Sequence, residues 1–201
     1  IYNSMPLSGD PDPDVVLGQA DLFATEPNRG GSASAATLSL PTGLATDGTR
    51  LAAADTGNHR VLIWSSIPSA NGAAADVVLG QSSAAGILAN AGGAPSASTL
   101  HSPEGIFVDS DRLLVADRDN NRVLIFTGFS SLSDFAPARN VLGQRDLDEN
   151  EANRGESVRR DTLRRPRDVL VGAGNLYVAD AGNHRVLVWD RVPSGSGSSA
   201  T

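Results

Sequence analysis

The stretch Ala54-Asp55-Thr56-Gly57-Asn58-His59-Arg60-Val61-Leu62 returns as Ala116-Asp117-Arg118-Asp119-Asn120-Asn121-Arg122-Val123-Leu124. It returns again as Ala179-Asp180-Ala181-Gly182-Asn183-His184-Arg185-Val186-Leu187. The constant frame is Asp-x-x-Asn-x-Arg at 55–60, 117–122 and 180–185, spaced by 62 and then 63 residues. Working outward, Val-Leu-Gly-Gln at 16–19, 78–81 and 141–144 keeps that spacing. So do Thr-Leu at 37–38, 99–100 and 162–163, a Pro at 41, 103 and 166, and an Asn at 28, 90 and 153. Self-similarity at a fixed period is the signature of a repeat architecture. The 201 residues therefore read as one repeat domain, with units at approximately 14–75, 76–139 and 140–201 and the end of a preceding repeat at 1–13. Ile1-Tyr2-Asn3-Ser4-Met5-Pro6 aligns without gaps on Ile63–Pro68, and Val188–Pro193 is the same stretch once more.

Each unit has the punctuation of a four-stranded meander. In the first, Gly43–Thr46 runs into Asp47-Gly48, Leu51–Ala54 runs into the Asp55–Asn58 turn, and Arg60–Trp64 and Asp76–Leu79 follow. The third strands Val61–Trp64, Val123–Phe126 and Val186–Trp189 are apolar at consecutive positions, which calls for burial on both faces. Sheets covered on both faces and repeated radially make a β-propeller. A sandwich, the rival fold, does not require identical units.

The segments Leu40–Trp64, Ser102–Phe126 and Arg165–Trp189 resemble the NHL repeat, most specifically through Asn-His-Arg at 58–60 and 183–185; the middle copy has Asn121 instead of His. The resemblance implies a propeller, usually of six blades. The expected fold is thus all-β, with three four-stranded NHL-type blades forming half of a six-bladed ring. The first fourth strand, around Val15–Leu17, lacks its own blade, and the last blade, ending at Trp189, lacks its fourth strand. Two chains would repair both deficits as a C2 homodimer; half of a longer propeller polypeptide is the alternative.

A unit of this length exceeds the usual ~40–45 residues of a WD40-type blade. Most of the excess lies between Gln19 and Pro41, Gln81 and Pro103, and Gln144 and Pro166, where 21 residues intervene each time. In a propeller these connections share a face with the turns between second and third strands, and loops on a rigid scaffold carry binding. Asp55, Asn58 and Arg60, with Asp117, Asn120, Arg122 and Asp180, Asn183, Arg185, read as structural. Asn suits a left-handed turn, Asp accepts turn amides, and Arg offers a fork of donors. His59 and His184 read as solvated turn histidines. Asn28, Arg29, Asn153 and Arg154 are candidates for a carbohydrate or carboxylate ligand. Arg159, Arg160 and Arg164, continuing into Arg165 and Arg167, are candidates for partner docking, although Asp146, Asp148, Glu149, Glu151 and Glu156 stand close enough to neutralise them.

Composition removes whole classes of chemistry. All 16 basic residues are Arg, so no catalytic ammonium exists, and the absence of Cys removes thiolates and disulfides. The net charge of −7 argues against nucleic acid, with the Arg159–Arg167 run its only support. Asp10-x-Asp12-x-Asp14 and Asp146-x-Asp148-x-Asn150 lack the Gly and Glu of a calcium loop. Six-bladed propellers include metal-dependent lactonases and a peptide-amidating lyase, but none of their catalytic residues maps here, and only Asp168 is acidic in the first strands. No metal or cofactor is expected, and no apolar run approaches the ~18 residues of a membrane span. A start at Ile1, with Arg but no Lys, suggests a processed, exported or envelope protein of a bacterium. The expected function is a non-enzymatic scaffold binding a protein or glycan through the long connections. The alternative is half of a propeller hydrolase or lyase with a metal in its channel.

Overall fold

The computed structural model describes residues 1–2 and 12–201. Asn3–Pro6 of the N-terminal alignment and Asp10 of the first calcium-like spacing lie outside the described residues. The fold is all-β, and its sheets are antiparallel meanders in chain order. The first contains β1 (Pro41–Thr46), β2 (Leu51–Asp55), β3 (Arg60–Trp64) and β4 (Val77–Leu79). The second contains β5 (Pro103–Asp109), β6 (Arg112–Asp117), β7 (Arg122–Thr127) and β8 (Asn140–Leu142). The third has three strands, β9 (Asp168–Gly172), β10 (Asn175–Asp180) and β11 (Arg185–Trp189). Asp55 pairs with Arg60, Asp117 with Arg122 and Asp180 with Arg185 in the three central hairpins. The turn frame thus brackets the same bend in every sheet.

Two expectations need correction. β1 and β5 begin at the repeated Pro, two residues earlier than the alternation suggests, so Thr42 and Glu104 belong to first strands. Val15–Leu17 is in no sheet. Beside it lies Ile1, whose ammonium donates to the Val15 carbonyl at 2.6 Å and whose carbonyl accepts from Asp14 and Val15. The Asp14-to-Ile1 bond reproduces Asp76 to Ile63, Arg139 to Ile125 and Thr201 to Val188, so Ile1 stands where those residues stand in their own units.

The uninterrupted apolar runs serve two cores at once because a strand points successive side chains to opposite faces. In β7, Leu124 and Phe126 pack with Ala52, Val61 and Ile63 of the first sheet, whereas Val123 and Ile125 pack with Val178, Leu187 and Trp189 of the third. In β3, Val61 and Ile63 face the second sheet, and Leu62 and Trp64 are covered by Leu17 and Leu38. First strands converge. A Cβ on Gly105 would come within 2.6 Å of Asp168 Cα, and one on Gly43 within 2.3 Å of the Glu104 carbonyl oxygen. Glycine there permits backbone-to-backbone approach between neighbouring first strands.

Outer edges are closed by the segment that belongs to the following sheet. Val16, Val78 and Val141 donate to the side chains of Asn71, Asp134 and Ser196, and accept from Gly72, Phe135 and Gly197. The connection between β7 and β8 therefore caps β4, and the segment after β11 caps β8, which hides the edge of each sheet. The odd residue that makes one period 63 lies ahead of this clamp, at the short helical turn Phe129–Ser131.

Candidate binding face

Asp55 is fully buried and divides its carboxylate between two tasks. Oδ1 accepts the Ser39 N–H at 2.6 Å, and Oδ2 accepts Asn58 Nδ2 at 2.7 Å and Arg60 Nε at 2.6 Å. Arg60 then reaches the carbonyls of Ser34 and Thr37, both at 2.9 Å, in the connection entering its sheet, and that of Ala84 in the connection leaving it. Asn58 and Asn28 exchange paired amide hydrogen bonds at 2.9 and 3.0 Å. The second unit repeats this with Asp117, Asn120, Arg122 and Asn90, and Arg122 holds Ser96, Thr99 and Leu147. The third repeats it with Asp180, Asn183, Arg185 and Asn153, and Arg185 holds Arg159 and Thr162.

The other constant residues complete the stitching. Gly18, Gly80 and Gly143 sit at φ of +83°, +90° and +89° beneath Leu38, Leu100 and Leu163, with no room for a Cβ. Gln19, Gln81 and Gln144 each donate to a carbonyl seven residues on. Thr37, Thr99 and Thr162 close a local turn through Oγ1. A connection tied down at so many offsets tolerates no change of length, which accounts for the constant 21 residues. Between the ties the exposed positions differ: Phe23, 91% exposed, corresponds to Ala85 and Asp148.

With that frame in view, the profile of the NHL repeat matches residues 100–126 and 163–189. The chain carries NHL repeats. Unit one holds the same frame at 40–64. Among solved structures, the chain is similar to a glutaminyl cyclase of Myxococcus xanthus, with TM-score 0.44, 14% identity, and coverage of 77% of this chain and 50% of that one. It thus spans half the length of that protein. The computationally designed Ika4 protein gives TM-score 0.37 and 8% identity over 77% of this chain and 92% of that one. A chain of a nidogen/laminin complex gives TM-score 0.34 and 17% identity over 76% and 60%. No curated protein sequence matches.

The sequence-derived candidates fall into two groups. Asn28 and Asn153 are amide partners of Asn58 and Asn183. Arg29 donates to the carbonyls of Gly18, Gln19, Ala36 and Gly72, and Arg154 to those of Gly143 and Gln144 and to Asp161. All four hold their own connections. Arg159, Arg160 and Arg164 instead project into solvent.

The turns also differ in detail from expectation. The left-handed residue is the one after the repeated Asn, namely His59, Asn121 and His184, at φ of 55°, 54° and 56°. The repeated Asp caps the entering connection rather than amides of its own turn. His184 is exposed, but His59 is half-buried and bonded: its Nδ1 accepts the Ser102 N–H at 3.0 Å, and Asn121 Oδ1 accepts the Arg165 N–H at 2.8 Å in the same way. Each is an acceptor tying one blade to the next, so Asn replaces His without loss. Burial lowers the His59 pKa, reinforced by His101, whose ring lies edge-on at 5.2 Å, and opposed by Asp119 and Asp117.

In the observed first strands Glu104 and Asp109 of β5 join Asp168 as acids; the carboxylate of Glu104 lies among neighbouring first strands. It is held by Arg118 and, at 3.6 Å, by Arg167. Among the described residues no three His, Cys, Asp or Glu side chains are grouped to hold a metal, and no helix is long and apolar enough to cross a membrane.

Proposed function

We propose that the chain is a non-enzymatic scaffold that binds a protein or glycan partner through the face formed by the long connections and the Asp-x-x-Asn-x-Arg turns. We further propose that two chains of three blades each close a six-bladed ring. A repeat fold of this kind supports a scaffold or binding role. The observation that carries the binding reading is the division of labour within each connection. The ties made by the repeated Asp, Asn, Gln and Thr recur in all three units, while the exposed positions between them, such as Phe23, Ala85 and Asp148, differ in chemistry.

Exchanging residues 145–165 for the sequence at 82–102 tests this reading. The exchange keeps the 21-residue length and the ties common to all three units, and gives up only the Arg154 contacts, which the second unit does without at Ala91, so the protein is expected to remain folded. It is expected to lose ligands detected on a glycan array, or protein partners recovered by quantitative cross-linking, that the parent binds. Retention of every such ligand at parental strength overturns the proposal.

A further inference from the structure

We infer that the third long connection, through Arg160 and Arg164 with Arg159, Arg165 and Arg167 beside them, docks a carboxylate-rich segment of a partner protein. This inference rests on the binding face proposed above and names its ligand.

The chain supplies its own control. At the positions of Arg159, Arg160 and Arg164 the first unit has Ser34, Ala35 and Ser39, and the second has Ser96, Ala97 and His101. What the fold takes from these positions is backbone. The carbonyls of Ser34, Ser96 and Arg159 receive Arg60, Arg122 and Arg185. Those of Ala35, Ala97 and Arg160 receive the N–H groups of Ala75, Ala138 and Ala200. Those of Ser39, His101 and Arg164 receive Gly57, Asp119 and Gly182. Ser34, Ala35 and Ser39 meet these needs in the first unit without any charge, so the backbone ties do not call for the three guanidinium groups of the third.

Neutralisation at home is incomplete. Arg159 stands 3.4 Å from Glu156, Arg165 3.1 Å from Asp119, and Arg167 3.6 Å from Glu104, with side chains 63%, 59% and 63% exposed. Glu156 is shared with Arg145, and Asp119 and Glu104 are shared with Arg118. Arg160 and Arg164 have no carboxylate partner among the described residues. Exposed guanidinium forks without an intramolecular acceptor are matched by planar carboxylates in bidentate geometry.

A carboxylate peptide fits better than nucleic acid. The basic run is one segment of a chain with net charge −7, so an extended polyanion would soon meet repulsion. No aromatic residue lies in 145–168 to stack a base.

The test uses a fluorescein-labelled hexaglutamate peptide and a uridine decamer, each titrated by fluorescence anisotropy. The double variant Arg160→Ala/Arg164→Ser installs the residues of the first unit and is expected to keep the parental melting temperature. It should weaken hexaglutamate binding about tenfold or more. Arg50→Ala, which removes an arginine paired with Asp47 at the opposite end of the first sheet, should leave binding unchanged. Arg160→Lys/Arg164→Lys should recover only part of the affinity, because an ammonium lacks the fork. Absence of hexaglutamate binding, equal binding by the double variant, or tighter Arg160- and Arg164-dependent binding of the uridine decamer overturns the inference. If hexaglutamate fails while partners still depend on residues 145–165, the binding face stands and only its assigned ligand falls.

Discussion

Asp117, Asn120 and Arg122 are buried polar groups whose hydrogen-bonding capacity is almost wholly met inside the chain, and this makes them costly to disturb. Replacing Arg122 with Leu leaves a fully buried carboxylate without its cation, a loss on the order of 3–5 kcal/mol. Arg185 makes the corresponding pair with Asp180 but is 25% exposed, so water replaces part of what Arg185→Leu removes. Urea denaturation should therefore rank Arg122→Leu clearly below Arg185→Leu in stability; equal losses would refute the burial argument. His59 gives a pH test. Its neutral ring accepts the Ser102 N–H, and burial, with His101 nearby, holds its pKa below the usual value near 6.5. A histidine whose folded pKa is depressed takes up its proton more readily in the unfolded chain. Its stabilisation is therefore complete above pH ~6.5 and declines as pH falls below that value toward the folded pKa. His59→Asn installs the acceptor that Asn121 already provides. Melting temperatures measured at pH 8 and pH 5 should draw closer together in this variant than in the parent, and an unchanged gap would remove His59 as the cause.

At the scale of the element, the long connections explain how much of the fold is legible in the sequence. Three spaced copies disclose which residues are constant, and constancy at a 62-residue period is enough to give the strands, the turns and the double-sided burial of β7. The same comparison cannot say what a constant residue touches. Asn28 and Arg29 look like ligand groups because polar residues in a long loop have no visible partner, yet their partners lie 30 residues on at Asn58 and in the carbonyls of Gly18 and Ala36. The tie from His59 to Ser102 is hidden for a related reason: His and Asn look unlike as letters but act alike as acceptors. Gly143 is the clearest single dependency of a connection. At φ +89° with Leu163 Cβ 2.8 Å from where a methyl would stand, Gly143→Ala combines left-handed strain with overpacking. A cost of at least ~1–3 kcal/mol is expected. Gly172→Ala has open space around it and should stay within ~0.5 kcal/mol of the parent by the same denaturation measurement. If both substitutions prove neutral, the connections are looser than the ties imply.

For the whole molecule, the two outer sheets differ in how their free faces are covered. Leu62 and Trp64 of β3 lie under Leu17 and Leu38, whereas on the far side of the third sheet Val186 is 62% and Leu170 50% exposed. In the middle of the chain the same strand positions are filled: Val123, the counterpart of Val186, and Phe107, the counterpart of Leu170, both pack against the third sheet. Each internal junction therefore joins one kind of face to its complement, and the exposed face of Val186 and Leu170 is the one that the proposed second copy would cover. A head-to-tail contact of this kind makes a ring if the rotation closes and a filament if it does not. The proposed six-bladed ring closes after two chains. Light scattering should then give the mass of two chains, falling to one for Val186→Glu, because burying an unpaired carboxylate in that junction costs more than the contact returns. The same substitution on a solvated face would change neither mass nor melting temperature. A parent protein that scatters as a single chain at concentrations up to ~100 μM would mean that any such association is weaker than about 5 kcal/mol, and the ring would have to be abandoned.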